Sequence, residues 1–194
     1  MTMIEWDETT HSNKSQGSWR DFEVKISKVL EDINVDPNQL LGFFDVLKDK
    51  RWLEVDAQLS EADQTLHVFK SNGEYLISKN GSVGIGHWQQ FDTKTGILLR
   101  KVFPDGRQKN ESYDPVFVHD DFIILKKHGN KASHISEQRY LFLMDESFQV
   151  NEISADEILE QFARRYAKTA PIVIIIFAIV ATVILGILWK MFLH

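Results

Sequence analysis

The side chains best suited to metal chemistry form one short cluster, His119-Asp120-Asp121. Imidazole and carboxylate groups are common metal ligands, so this cluster has the composition of half a metal site. A complete site needs three or four ligands, and no second cluster follows at helical or hairpin spacing. The pattern therefore favours a solvated turn between the apolar segments Val116–Val118 and Phe122–Leu125, and we predict no metal and no cofactor.

Patterns typical of catalytic centres do not occur in the sequence. None of the serines has a Gly-x-Ser-x-Gly setting, which argues against a serine hydrolase. The glycines of Gly81–Gly86 belong to a strand pattern with no helix after it, unlike a phosphate-binding loop. The chain has no cysteine, which excludes disulfides, thiolate catalysis and cysteine-based zinc sites. We predict no catalytic residue; an enzyme that uses His119 or His87 is the alternative.

A candidate ligand site surrounds Trp88. In the strand pattern Gly84, Gly86 and Trp88 share one face, and His87 lies on the other. Two glycines leave room beside the indole for a large neighbour or for a ligand. We expect another core aromatic residue to fill this room, and a ligand site formed by Trp88, Gly84 and Gly86 is the alternative.

Two helical segments precede the strands. The first starts at a cap, Ser18, and carries an apolar stripe that ends at Ile33. The second starts at Asp36, with Pro37 in its first turn, and runs to about Leu47. Further along the chain, Ser154-Ala-Asp-Glu157 has the spacing of a capping box and predicts a third helix.

From Arg51 the apolar period changes from helical to two. Alternating segments are separated by Asn72-Gly73 and Asn80-Gly81, and Asn-Gly is the strongest short signal for a hairpin. The pattern predicts an antiparallel meander, either a curled sheet or a barrel. The predicted fold class is α+β, with N-terminal helices, this meander and a single C-terminal transmembrane helix. The predicted order is a flexible segment 1–17, a soluble domain 18–150, a juxtamembrane helix 151–169 and an anchor 171–190.

The middle of the chain resembles the lipocalin-like families of small β-barrels. The residues that carry the resemblance are Asn72-Gly73-Glu74-Tyr75, Gly81 and Gly86-His87-Trp88, with leucine-containing strands after them. The resemblance covers Trp52–Met144 and implies a barrel that binds a small apolar ligand. It assigns no individual ligand residue.

The apolar segment Pro171–Trp189 has no charged residue, and its only polar side chain before the terminal tryptophan is Thr182. A helix that crosses a bilayer needs roughly 20 apolar residues, so this length predicts one transmembrane helix. The residues assigned to the anchor are Pro171, Phe177, Trp189 and Lys190.

Basic residues flank the predicted anchor unequally. Arg164, Arg165 and Lys168 precede it, whereas Lys190 and His194 follow it. The positive-inside rule then places the N-terminal domain in the cytosol, with the first three residues at the lipid head groups. The segment Met1–Gly17 has acidic residues and no apolar core, so it does not resemble a signal peptide.

Small residues recur within the predicted anchor at every fourth position, at Ala178, Thr182 and Gly186. Such spacing lets two helices approach closely; we expect ordinary lipid-facing composition, and a homodimer through this helix is the alternative. The formal net charge is −6 and no basic face is clustered, so we predict no nucleic-acid partner.

These features favour a tail-anchored, non-enzymatic module whose cytosolic β-rich domain binds a protein partner or serves as an accessory subunit. The alternative is a membrane-tethered carrier or sensor that binds a small apolar ligand inside a barrel. A filled barrel with an exposed apolar patch would favour the module, and a cavity beside Trp88 would favour the carrier.

Overall fold

A computed structural model of the chain describes residues 13–33, 35–57, 64–79, 81–91, 95–102, 107–128, 139–148 and 154–168. None of the helices in these ranges is both long and apolar enough to cross a bilayer. The predicted anchor 171–190, with the packing residues Ala178, Thr182 and Gly186, lies outside the described residues. The transmembrane part of the predicted fold class therefore stays a prediction.

Four α-helices and one short 3-10 helix occur in the described residues. They are α1 Asn13–Asp32, α2 Pro37–Leu41, α3 Phe43–Leu47, α4 Ala155–Tyr166 and the 3-10 helix Glu146–Phe148. The first helix begins ahead of the predicted cap at Ser18, and the second predicted helix is divided at Gly42 into α2 and α3. The capping box at Ser154 and Glu157 is confirmed, because each side chain bonds the backbone N–H of the other residue.

Eight strands form a closed antiparallel barrel in sequence order, and β1 pairs with β8. The strands are β1 Arg51–Glu54, β2 Thr65–Phe69, β3 Glu74–Lys79, β4 Ser82–Gln90, β5 Ile97–Val102, β6 Gln108–Val118, β7 Phe122–Lys127 and β8 Tyr140–Asp145. The antiparallel meander is thus confirmed in its closed form. Gly73 and Gly81 have positive φ angles of 86° and 76° in the two predicted turns, which explains the preference for Asn-Gly there.

The strands β7 and β8 are buried on both faces, because α1 and α4 cover the outside of the barrel at this position. Successive side chains of β7 point alternately into two different cores. Ile123 and Leu125 belong to the barrel interior, whereas Phe122 and Ile124 pack under the helices together with Phe162 of α4.

The helix α3 closes one end of the barrel. Phe43 and Leu47 are completely buried in the interior cluster, and the Leu47 carbonyl accepts a 3.1 Å hydrogen bond from the Trp52 indole. The following turn is tied to β2, since the Asp49 N–H donates to the Phe69 carbonyl at 2.7 Å. We call α2 and α3 together the plug, and the end of the barrel that they cover the plugged end.

Candidate functional site: the barrel interior

Aromatic side chains fill the half of the interior next to the plug. Trp52 and Phe69 are completely buried, and Trp88 is nearly so. Together with Phe43 and Leu47 of α3 they form what we call the plugged half of the interior. The hydrophobic effect has no directional requirement, so this half is stabilised by burial of apolar surface and by tight packing.

Trp88 is fixed from several sides. Its indole N–H donates a 2.8 Å hydrogen bond to the Lys70 carbonyl. The ring stacks on Phe44 of the plug with centroids 5.9 Å apart and meets Phe69 edge-on at 6.4 Å. The protein itself therefore binds the polar edge of the indole and packs two aromatic rings against it.

The space beside the two glycines is occupied at Gly86. A Cβ atom built there would lie 3.3 Å from Cδ1 of Tyr75 and would collide with the backbone carbonyl of Arg100 on β5. Gly84 is buried on the same face and pairs with Ile77 of β3. The sequence allowed two occupants for this space, a core residue or a ligand. In the structure the Tyr75 ring and the backbone of β5 lie there.

Buried polar groups lie in the other half of the interior, away from the plug. The first group is a chain of three side chains from β1, β2 and β3. The Glu54 carboxylate lies 3.0 Å from Nε2 of His67, and Nδ1 of His67 lies 2.6 Å from the Tyr75 hydroxyl. Both ring nitrogens of this buried histidine have a partner, which is what burial of a polar side chain requires.

The hydrogen-bond roles in this chain depend on the tautomer of His67 and on the protonation of Tyr75. Burial, with the charges of Glu54 and Glu111 nearby, raises the pKa of Tyr75 well above its usual value, so the phenol keeps its proton. In the His67 tautomer that carries its hydrogen on Nε2, this nitrogen donates to the Glu54 carboxylate and Nδ1 accepts from the Tyr75 hydroxyl. In that tautomer the direction of donation runs from Tyr75 through His67 to Glu54.

The second polar group centres on Glu111 of β6. Its carboxylate contacts Lys101 at 2.9 Å and Lys127 at 3.1 Å, while Lys109 lies 3.8 Å away. Burial alone would raise the pKa of Glu111, but the charges and hydrogen bonds of Lys101 and Lys127 outweigh it and lower the pKa to about 2. The carboxylate is therefore ionised at neutral pH.

Tyr113 connects the two polar groups electrostatically. Its hydroxyl donates a long 3.4 Å hydrogen bond to Glu111. Burial, followed by the charge of Glu111 and the proximity of Tyr75 and Glu54, raises its pKa well above the usual range. We call the set the polar half of the interior: Glu54, His67, Tyr75, Lys101, Lys109, Glu111, Tyr113 and Lys127.

The polar half was not foreseen from the sequence. The segment that contains Lys109 and Glu111 is polar, and it belongs to the long strand β6. The available signal was alternation: Lys109, Glu111 and Tyr113 occupy every second position and face the same side as Leu99 and Ile97 of β5.

The cluster His119-Asp120-Asp121 forms the turn between β6 and β7, as expected. Its members contact cations from other elements: Asp120 pairs with Lys50 at 3.2 Å and Asp121 with Arg165 at 2.8 Å. The imidazole of His119 accepts a 3.3 Å hydrogen bond from the Asp121 N–H. Among the described residues, no three His, Asp or Glu side chains are grouped so that they could hold a metal ion.

The basic residues predicted at the membrane surface all have acceptors inside the domain. Arg164 pairs with Glu160 at 2.6 Å, one helical turn earlier in α4. Arg165 pairs with Asp121, and the Lys168 ammonium donates to the Glu31 carbonyl at 2.9 Å. Arg165 and Lys168 thus join the end of α4 to the barrel and to the end of α1.

These features define a class of protein: a closed eight-stranded antiparallel β-barrel with a helical plug at one end and two helices on its outer wall. This architecture is compatible with a lipocalin-like barrel. Comparison of the chain with protein-family models, with curated proteins and with solved structures finds no match.

Proposed function

We propose that the protein is a tail-anchored, non-enzymatic module whose barrel domain lies in the cytosol and serves as an accessory or interaction domain at a membrane. The observation that carries this proposal is the packed plugged half of the barrel. Phe43, Leu47, Trp52 and Phe69 are all completely buried. A cavity large enough for an apolar ligand would leave part of its lining accessible, so their burial favours a packed domain over a hollow carrier.

An exposed apolar face supports the interaction role. On the outer side of β2–β4, Val68 is the cross-strand partner of Leu76, and Leu76 is the partner of Ile85. Ile85 is 51% exposed and its neighbour Val83 is 42% exposed. Contiguous apolar residues on the surface of a folded domain are typical of sites that bind another protein.

The membrane part of the proposal depends on residues 171–190. Their apolar length suits a bilayer, and the basic residues Arg164, Arg165 and Lys168 before them favour a cytosolic domain. The small residues Ala178, Thr182 and Gly186 are spaced for close packing of two helices. The proposal therefore includes a homodimer formed through the anchor.

Flotation of the full chain and of a chain that ends at Lys168 tests the anchor. We expect the full chain to float with phosphatidylcholine vesicles, and the shortened chain to stay in the aqueous fraction with an intact cooperative urea transition. If the full chain stays with the aqueous fraction, the anchor proposal is wrong. If the shortened chain is unfolded, the segment after Lys168 is part of the fold.

A second candidate, the membrane-tethered carrier, is favoured by one specific observation. Ionised groups such as Glu111 lie inside a closed barrel, where a ligand with a polar head could contact them. Titration of tryptophan fluorescence with fatty acids tests this candidate. A saturable response would support the carrier, whereas a flat response would support the packed module.

A further inference from the structure

The last described residues of the chain lie beside the start of the plug. The backbone N–H of Lys168 donates to the Asp32 carbonyl at 3.1 Å, and Ala167 forms a β-bridge with Ile33. Asp32 is the last residue of α1, and Asp36 caps the first helix of the plug. The chain therefore leaves the described domain at the plugged end of the barrel.

Covalent geometry limits how far the predicted anchor can start from this point. Pro171 follows Lys168 by three residues, and an extended chain spans at most about 3.6 Å per residue. The apolar segment thus begins within about 11 Å of Lys168. On the other side, Asp36 follows Asp32 by four residues and lies within about 14 Å of it.

The helix α2 has an outer side that no described residue covers. None of its residues is buried, and Leu41 is 66% exposed. The adjacent helix α3 directs Phe43 and Leu47 into the barrel. In α2 itself Leu40 packs against the interior cluster, so the exposed Leu41 lies on the side of the plug that faces away from the barrel.

Much of the positive charge at this end of the molecule is compensated, because three of its cations have acidic partners. Lys48 contacts Asp45 at 3.4 Å, Lys50 contacts Asp120, and Arg165 contacts Asp121. A surface that attaches here through α2 would be selected by apolar contact rather than by net charge.

We propose that the plugged end faces the bilayer and that α2 lies on the membrane surface, with Leu41 inserted at the boundary between head groups and acyl chains. This inference rests on the proposed anchor at residues 171–190. It fixes the orientation of the domain, because the polar half of the barrel then faces the aqueous side. A leucine that is exposed in solution becomes buried once the anchor holds the plug against lipid.

The chain offers a matched pair of positions to test this orientation. It has no cysteine, so a single labelled cysteine can be introduced in the full-length protein. Val24 on α1 is 67% exposed, almost the same as Leu41. Its neighbour Lys25 pairs with Asp156 at the start of α4, roughly 15 Å along that helix from its exit at Tyr166.

The experiment uses Leu41→Cys and Val24→Cys, each labelled with the fluorophore NBD and reconstituted in phosphatidylcholine vesicles with or without phosphatidylserine as the minority lipid. We expect the label at position 41 to shift its emission to shorter wavelength and to be quenched by a doxyl group near the head groups. The label at position 24 should remain accessible to aqueous iodide. Both results should be the same with and without phosphatidylserine.

The possible failures are distinguishable. If the protein floats but position 41 shows no shift, the docking of α2 is wrong while the anchor stands. If both positions shift, the domain does not rest on its plugged end and the proposed orientation is wrong. If the full-length protein does not float at all, the anchor itself fails, and this inference fails with it.

Discussion

The two halves of the barrel interior are stable for different physical reasons. Around Trp52, Phe69 and Trp88 the interior is aromatic, and any close apolar contact stabilises each side chain. Around His67 and Glu111 each buried group depends on one or two specific partners at hydrogen-bond distance. The first half should therefore respond to lost volume, and the second to pH and to the loss of single polar atoms.

The largest effect is expected from Trp88→Ala. The substitution removes a buried indole that stacks on Phe44 and bonds the Lys70 carbonyl, and truncations of this size cost about 3–5 kcal/mol. The urea midpoint of the domain should fall accordingly. His87→Ala is the matched control, because His87 is the next residue on the same strand and is exposed.

A different result with Trp88→Ala would change the interpretation of the plugged half. A small loss of stability, together with a saturable fluorescence response of the natural protein to fatty acids, would indicate an existing cavity. That outcome would support the carrier and contradict the packed module.

Much of the fold could be predicted from the sequence because it is encoded locally. The turns at Asn72-Gly73 and Asn80-Gly81 and the capping box at Ser154 each depend on a few adjacent residues with a specific backbone requirement. Closure of the barrel could not be predicted in the same way. It depends on pairing of Trp52 with Asp145, which are far apart in sequence and carry no local signal of their register.

The candidate site was less predictable than the fold for a related reason. The face shared by Gly84, Gly86 and Trp88 followed from strand parity, but the ring that fills the space there, Tyr75, comes from the neighbouring strand. The chain Glu54–His67–Tyr75 joins three strands, and nothing in the local sequence of any one of them indicates the other two partners. Contacts of this kind are defined only when the strand register is known.

The second effect in size should be a loss of stability in acid that depends on Glu111. Its pKa is lowered from 4.5 to about 2 in the folded protein, because ion pairs with Lys101 and Lys127 outweigh the effect of burial. A depressed acid pKa contributes stability that is fully present above about pH 4.5 and is lost as the pH falls toward about 2. The contribution is about 3–4 kcal/mol at most, at about 1.4 kcal/mol per pH unit.

Urea titrations between about pH 5 and pH 2 measure this contribution of Glu111. In Glu111→Gln the decline in the free energy of unfolding over this range should be clearly shallower. Glu160→Gln, on an exposed part of α4, should leave the decline unchanged. An equal decline in the natural protein and in Glu111→Gln would show that the polar half is not held together by this carboxylate.

The smallest effect separates two hydroxyl groups within the polar half. Tyr75→Phe removes the hydroxyl 2.6 Å from Nδ1 of His67 and leaves that buried nitrogen without its hydrogen-bond partner. Tyr113→Phe removes the same atom from a ring of the same size, but its bond to Glu111 is long, at 3.4 Å. Because an unsatisfied buried polar atom costs about 1–3 kcal/mol, we expect Tyr75→Phe to lower the free energy of unfolding by about 1–2 kcal/mol. Tyr113→Phe should lower it by no more than about 0.5 kcal/mol, since a long hydrogen bond contributes little.

Both rings keep their apolar contacts, so a difference between the two urea midpoints reports on hydrogen bonding and not on packing. Equal losses would mean that the chain from Tyr75 through His67 to Glu54 contributes no more than ordinary burial, and the contrast between the two halves of the interior would disappear.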